Sequence, residues 1–200
     1  MNTAANVLKL QKFHQNQSGV FALSDLKNLI EHKSILHFQR QIQALEDHKI
    51  LFQFMRGFYV MPPFELEVLS QRICEKSYIS MANVLAKNLL IGTVPHHTIY
   101  AVKVGKSRVY EHSLGTIIHL GIVPHLFFGY EVKTGVCYAN KEKAFLDTLY
   151  FYQKGFKPYF NIYQDIFLKK LDKKIIHRYL QKYKNPRFIK FVKGVLHGRD

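Results

Sequence analysis

Between residues 18 and 61 the apolar residues recur first at helical and then at strand intervals. Leu26, Leu29 and Ile30 follow Ser24 with helical spacing, which predicts a short amphipathic helix from about 24 to 31 that Ser24 can cap. Ser34 is a second N-cap candidate, and after it Ile35, Phe38, Ile42 and Leu45 come at spacings of three, four and three. Those four predict a buried stripe. At about 100° per residue, the opposite face carries Leu36, His37, Arg40, Gln43 and Ala44, with Gln41 at its margin. Two β-rich runs, 50–55 and 58–61, then flank Arg56-Gly57 and read as strands joined by a tight turn. Pro62-Pro63 ends the hairpin and marks a domain boundary.

Two short helices followed by a hairpin is the order that a winged helix-turn-helix requires, so DNA is the first partner to consider. Arg40 can fork onto guanine, Gln41 and Gln43 can bond adenine, and His37 is within reach of a base edge. Lys33 and Ser34 stand at the helix start, where free amides and the helix dipole favour a phosphate. Arg56 reaches the backbone or the minor groove in this reading. The plainer alternative is a small helical domain with a hairpin, its polar helix face solvated or used for protein contacts.

The middle of the chain reads as a compact mixed domain. Residues 66–74 are apolar at helical intervals, and Ser80 precedes a second helix that ends near Leu90-Ile91-Gly92. Strands are expected over 97–104 and 109–112, bracketing Gly105-Lys106-Ser107, and again over 116–121 and 136–138. Asn140 to Lys143 then opens a helix running through Ala144, Phe145, Leu146, Leu149 and Tyr150, with Asp147 inside it. The expected fold class is α+β: an N-terminal winged helix-turn-helix over 1–63, then a mixed α/β C-terminal domain over 64–200 with a helical, basic end at 154–200.

Composition narrows the partners. The chain has 200 residues, 48% of them hydrophobic, with 16 Phe and 12 Tyr, ample for a packed core. Its net charge of +15 favours nucleic acid or an acidic protein face. Residues 1–62 carry net +3 and residues 63–200 net +12, so the charge is concentrated late. From 154 to 200 there are 13 basic and three acidic residues with Tyr and Phe interleaved. Phe167, Leu168, Leu171, Ile175, Ile176, Tyr179 and Leu180 recur at helical spacing and suit a core. Lys169, Lys170, Lys173, Lys174 and Arg178 are then either a solvated face or a basic binding surface. No apolar run is long enough to span a membrane and no signal-peptide pattern opens the chain, so the expected location is cytoplasmic, with no membrane partner. Cys74 and Cys137 suit reduced, buried thiols.

Enzymatic readings mostly fail on inventory, and the alternatives to a DNA-binding regulator are a metal-dependent nucleic-acid-processing enzyme using Glu111, Glu131 and Lys133, or a basic adaptor for RNA or an acidic protein. Glu131-Val132-Lys133 has the spacing of a metal-dependent nuclease, but its required upstream carboxylate has one candidate, Glu111. Otherwise 131–133 reads as a surface turn after Gly129. His96 and His97 with His112, His119 or His125 lack the Cys or Asp to complete a metal site. Glu142 and Asp147 lie five residues apart on a helix, about 140° from each other, which suits capping by Glu142 and a buried hydrogen bond or ion pair for Asp147. There is no phosphate loop, dinucleotide fingerprint or nucleophile elbow. No catalytic residue, metal or cofactor is expected.

Four segments in order resemble the AbiEi-type antitoxins of bacterial abortive-infection systems: Arg56 to Val60, Ser77 to Leu85, Phe127 to Glu131, and Ala139 to Asp147. Where the family usually has proline before the glutamate of the last segment, this chain has Lys141, and its 33–43 helix is poorer in Arg and Lys. The resemblance implies an N-terminal winged helix that binds the operon's own promoter, on residues 33 to 43 and Arg56. It implies a C-terminal domain that counteracts a nucleotidyltransferase-like toxin. Such pairs are type IV, in which toxin and antitoxin need not form a stable complex. Neither the oligomeric state nor the operator follows from it.

Overall fold

A computed structural model describes residues 3–92 and 97–197. The chain is mixed α+β and divides into two compact units, Met1–Ile73 with His112–Leu114, and Cys74–Glu111 with Gly115–Asp200.

The first unit runs α1 (Thr3–Gln17), β1 (Val20–Ala22), α2 (Leu23–Leu29), α3 (Ile35–Asp47), β2 (Phe52–Met55), β3 (Phe58–Val60) and α4 (Leu66–Ile73). The three strands form an antiparallel sheet in the order β1-β3-β2, with Val20 opposite Val60 and Gln53 opposite Tyr59. Neither α1 nor β1 is signalled by the sequence pattern. β1 is three residues long, too short for an alternation to register. Leu10, Phe21, Leu26, Ile30, Phe38, Ile42, Leu45, Leu51, Tyr59 and Met61 make the core, which supplies most of the hydrophobic stabilisation. Gly19, at φ +71°, enters β1 so close to the backbone that a Cβ there would lie 2.6 Å from the Pro63 carbonyl oxygen.

The α2 cap differs from expectation. The chain passes straight from β1 into α2, so the cap position is Ala22, and the Asp25 carboxylate accepts from its N–H at 2.8 Å in place of Ser24. Asp25 also pairs with Arg72 of α4. Arg72 donates further to the Val20 carbonyl at 2.6 Å and to Gln17 at 2.8 Å. These bonds tie α4 to the rest of the first unit, whose opening stretch of chain runs to Ile73.

The second unit contains β4 (Ser77–Ile79), α5 (Met81–Lys87), β5 (Thr98–Val104), β6 (Arg108–His112), β7 (Gly115–Ile122), β8 (Tyr130–Lys133), β9 (Val136–Ala139), α6 (Lys141–Gln153), α7 (Lys173–Leu180) and α8 (Pro186–His197). Its six-stranded sheet has the order β6-β7-β5-β4-β9-β8, with β5 parallel to β7 and β4 parallel to β9. Residues 130–133, expected as a surface turn, are an edge strand antiparallel to β9. The α7 helix starts only at Lys173, because Asp172 turns back to accept from the Lys174 and Ile175 N–H groups.

Helix α6 is enclosed on most sides, and Asn140 caps it by accepting from the Lys143 N–H at 2.9 Å. Lys143 and Asp147, one turn apart and both wholly buried, form an ion pair. Asp147 also accepts from the Ser80 hydroxyl at 2.8 Å and the Tyr78 hydroxyl at 3.1 Å. The Lys143 ammonium lies 5.0 Å from the Phe128 ring centre. Burial pushes the Asp147 carboxyl up and the Lys143 ammonium down, and each partner opposes the other's shift. Ser80 therefore spends its hydroxyl on Asp147 and makes no side-chain cap on α5. Glu142, expected to cap its own helix, accepts from the Asp172 N–H at 3.0 Å and so fixes the start of α7.

Breaking a buried pair leaves one charge uncompensated, so Lys143→Met is expected to cost about 3–5 kcal/mol in urea denaturation. Adding Asp147→Leu to that variant recovers part of the loss and not all of it, since the Ser80 and Tyr78 hydroxyls are then left without their acceptor.

Candidate nucleic-acid interface

The α3 helix begins at a true N-cap: Ser34 is extended, and its Oγ accepts from the His37 N–H at 3.1 Å. Phe38, Ile42 and Leu45 turn inward as the periodicity predicts. Ile35 does not. It is 71% exposed, lining an open groove beside Phe38 and Ile42 with Leu23, Gln53 and Tyr59. Leu36, next to it, is 57% exposed.

The expected base-reading residues separate into two sets. Lys33, Ser34, Arg40, Gln43 and Arg56 are exposed. Gln41, only 6% exposed, belongs to an internal network: its Oε1 accepts from Asn6 of α1 at 3.1 Å and its Nε2 donates to the Glu31 carbonyl at 3.2 Å. His37 is half-buried and folded back, accepting from the Lys33 N–H at Nδ1 and meeting Gln41 at Nε2, 2.9 Å away. The cause is α1, which covers the margin of α3 where Gln41 lies. Neither Gln41 nor His37 is presented to a groove in this arrangement. Gln43 is exposed, but its Nε2 donates to Asp47 at 2.9 Å, so a bidentate contact to adenine requires that bond to break.

Beyond α3, β2 and β3 carry Arg56 at their connecting turn, where Gly57 takes φ +87°. The Gly57 carbonyl accepts from the Leu23 N–H at 2.8 Å, tying the turn to the start of α2. The unit thus presents α3 with Lys33, Leu36, Arg40 and Gln43 outward, and a hairpin with a cation at its turn.

In the second unit Lys169, Lys170, Lys173, Lys174 and Arg178 are all exposed, while Ile176 and Leu180 of α7 point into the core. Two of these cations already have partners: Lys170 donates to the Leu89 carbonyl at 3.1 Å and Arg178 lies over the Tyr179 ring. Lys141 donates to the Lys170 carbonyl at 2.6 Å, which brings a further cation to the same region. The residues of the nuclease reading are not brought together. Glu131 pairs with Lys133 at 2.7 Å on edge strand β8, whereas Glu111 lies on the opposite edge strand β6. Five strand spacings separate them, about 24 Å at ~4.8 Å each. Among the described residues no three His, Cys, Asp or Glu side chains gather as metal ligands; His96 lies outside those residues. Among them, too, no helix is long and apolar enough to cross a membrane.

No protein-family model matches the chain, and no curated protein matches it. In fold it is similar to the crystal structure of the Rv2827c protein from Mycobacterium tuberculosis, with a TM-score of 0.65 at 14% identity. That likeness covers 98% of this chain and 76% of the other.

A structural Gln41 and an outward Arg40 differ in what their loss does to folding. Gln41→Ala is expected to lower stability by about 1–3 kcal/mol, because the Asn6 amide and Glu31 carbonyl lose a buried partner. Arg40→Ala is expected to change it by no more than about 0.5 kcal/mol, as for other surface sites. Urea titrations of the two variants against the parent protein check both.

Proposed function

We propose that the first unit is a winged helix-turn-helix, that it binds the promoter of its own operon, and that the protein is a transcriptional autorepressor. The observation that carries this reading is the outward face of α3, with Lys33, Arg40 and Gln43 exposed, followed by a hairpin that carries exposed Arg56. In this reading α3 lies in the major groove. Arg40 forks onto a guanine and Gln43 accepts from a neighbouring base, while Lys33, the Ser34 end of α3 and Arg56 hold phosphates. Gln41 and His37 hold α3 in place and take no part in base contacts.

The resemblance to AbiEi-type antitoxins extends the proposal. Three of its four segments meet in the second unit: Tyr78 and Ser80 donate to Asp147, and Lys143 lies against Phe128. On that resemblance the second unit, cytoplasmic like the whole protein, acts as the antitoxin of a type IV pair against a nucleotidyltransferase-like toxin, without a stable complex. No catalysis is assigned to either unit.

Fluorescence anisotropy on the upstream DNA and on a shuffled duplex, at about 100 and 300 mM salt, tests the DNA reading. Tighter binding to the protein's own promoter that persists at the higher salt is the expected result. Equal, salt-labile binding to both duplexes would mean that net charge alone acts. Arg40→Ala is expected to cost about 1–3 kcal/mol at the cognate site and far less on the shuffled one.

A further inference from the structure

Two branched aliphatic side chains stand in water at the start of α3, Ile35 at 71% and Leu36 at 57% exposure. They are not surplus core. Phe38, Ile42 and Leu45 carry the buried stripe, while Ile35 lines an open groove beside Phe38 and Ile42 and Leu36 faces outward. Leu36 shares the outward face with Arg40, one turn on, and with Gln43. Lys33 precedes the helix and Arg40 lies on its outward face, so two exposed cations accompany the apolar pair, with the Asp47 carboxylate bonded to Gln43 farther along. A surface that combines positive charge with a small apolar patch complements a polyanion with an apolar feature of its own. In duplex DNA that feature is the 5-methyl group of thymine, displayed in the major groove.

We infer that Leu36, flanked by Ile35, packs on a thymine 5-methyl group close to the guanine held by Arg40. This rests on the DNA reading of α3. Four residues of helix rise about 6 Å, and successive base pairs are about 3.4 Å apart, so the thymine lies within about two base pairs of that guanine. The contact adds to a reading that the glutamines supply only in part: Gln41 is enclosed, and Gln43 keeps its acceptor while its donor is held by Asp47. It also gives the exposed pair a cover, since aliphatic surface leaves water when the groove closes on it.

The test uses the full-length protein and an operator located by footprinting on the upstream DNA. Each thymine in the footprint is replaced in turn by deoxyuridine, which lacks only the methyl group and keeps every hydrogen-bonding edge. At one position the parent protein is expected to lose affinity about fourfold, the equivalent of about 0.8 kcal/mol for one buried methyl-sized group. Leu36→Ala should bind the thymine and deoxyuridine duplexes alike at that position, with circular dichroism unchanged from the parent. Specific binding that no deoxyuridine substitution weakens overturns the inference and leaves the DNA reading standing. So does a deoxyuridine effect that survives in Leu36→Ala. Failure to prefer the operator over a shuffled duplex, measured in the same titrations, overturns both and points to a protein partner for the pair.

Discussion

The buried Asp147 carboxylate has only one set of surroundings that can hold it, and the second unit is arranged around that requirement. A charge without partners in an apolar interior is too costly to keep. Asp147 meets Lys143 on its own helix, the Ser80 hydroxyl at the entry to α5, and the Tyr78 hydroxyl on β4. Each donor comes from a different element, and the two hydroxyls, which lie off the helix, are within reach at only one rotation of α6. The pair therefore specifies how α6 sits against the sheet as much as it stabilises it. Replacing ion and hydroxyls together by hydrocarbon could match its energy without matching its directionality.

The first unit solves a similar problem with a neutral group. Gln41 is enclosed, and its amide is satisfied only when α3 is turned so that Asn6 and the Glu31 carbonyl are both in reach. Phe38, Ile42 and Leu45 set the same rotation by burial, but an apolar stripe tolerates some roll. An amide whose hydrogen bonds have fixed directions does not. In both units a buried polar side chain on one helix converts approximate packing into a defined orientation. For α3 that orientation decides which side chains are left outward, and so what the unit can recognise.

This explains how far the sequence is a guide. Spacing is sufficient for α3, the 52–60 hairpin, β5, β7 and α6, because each is long enough or apolar enough to show its period. It fails for α1 and β1, and the failure propagates. Without α1 in view, nothing signals that the margin of α3 is covered, so Gln41 and His37 look like readers although both are engaged in bonds within the unit. The three-residue β4 is missed for the reason that β1 is, and β8 because all four of its residues are exposed and show no alternation. The motif segments, by contrast, are legible as a set before their meaning is. The meeting of three of them around the Lys143–Asp147 pair is a matter of topology, which no single segment contains.

On the proposed DNA reading, the enclosure of Gln41 and the folding back of His37 constrain how α3 selects a sequence. One bidentate arginine discriminates by about 1–3 kcal/mol, and one methyl contact adds about 0.8 kcal/mol. Gln43 contributes only what remains after its bond to Asp47 is broken or kept. Specific over non-specific binding by DNA-reading proteins usually spans about 4–10 kcal/mol. A single α3 therefore falls at or below the bottom of that range. The remainder must come from elsewhere: from the hairpin at Arg56 sensing groove width, from the ease with which the site deforms, or from a second copy on a repeated half-site. Of these, a second copy alone doubles every contact at once.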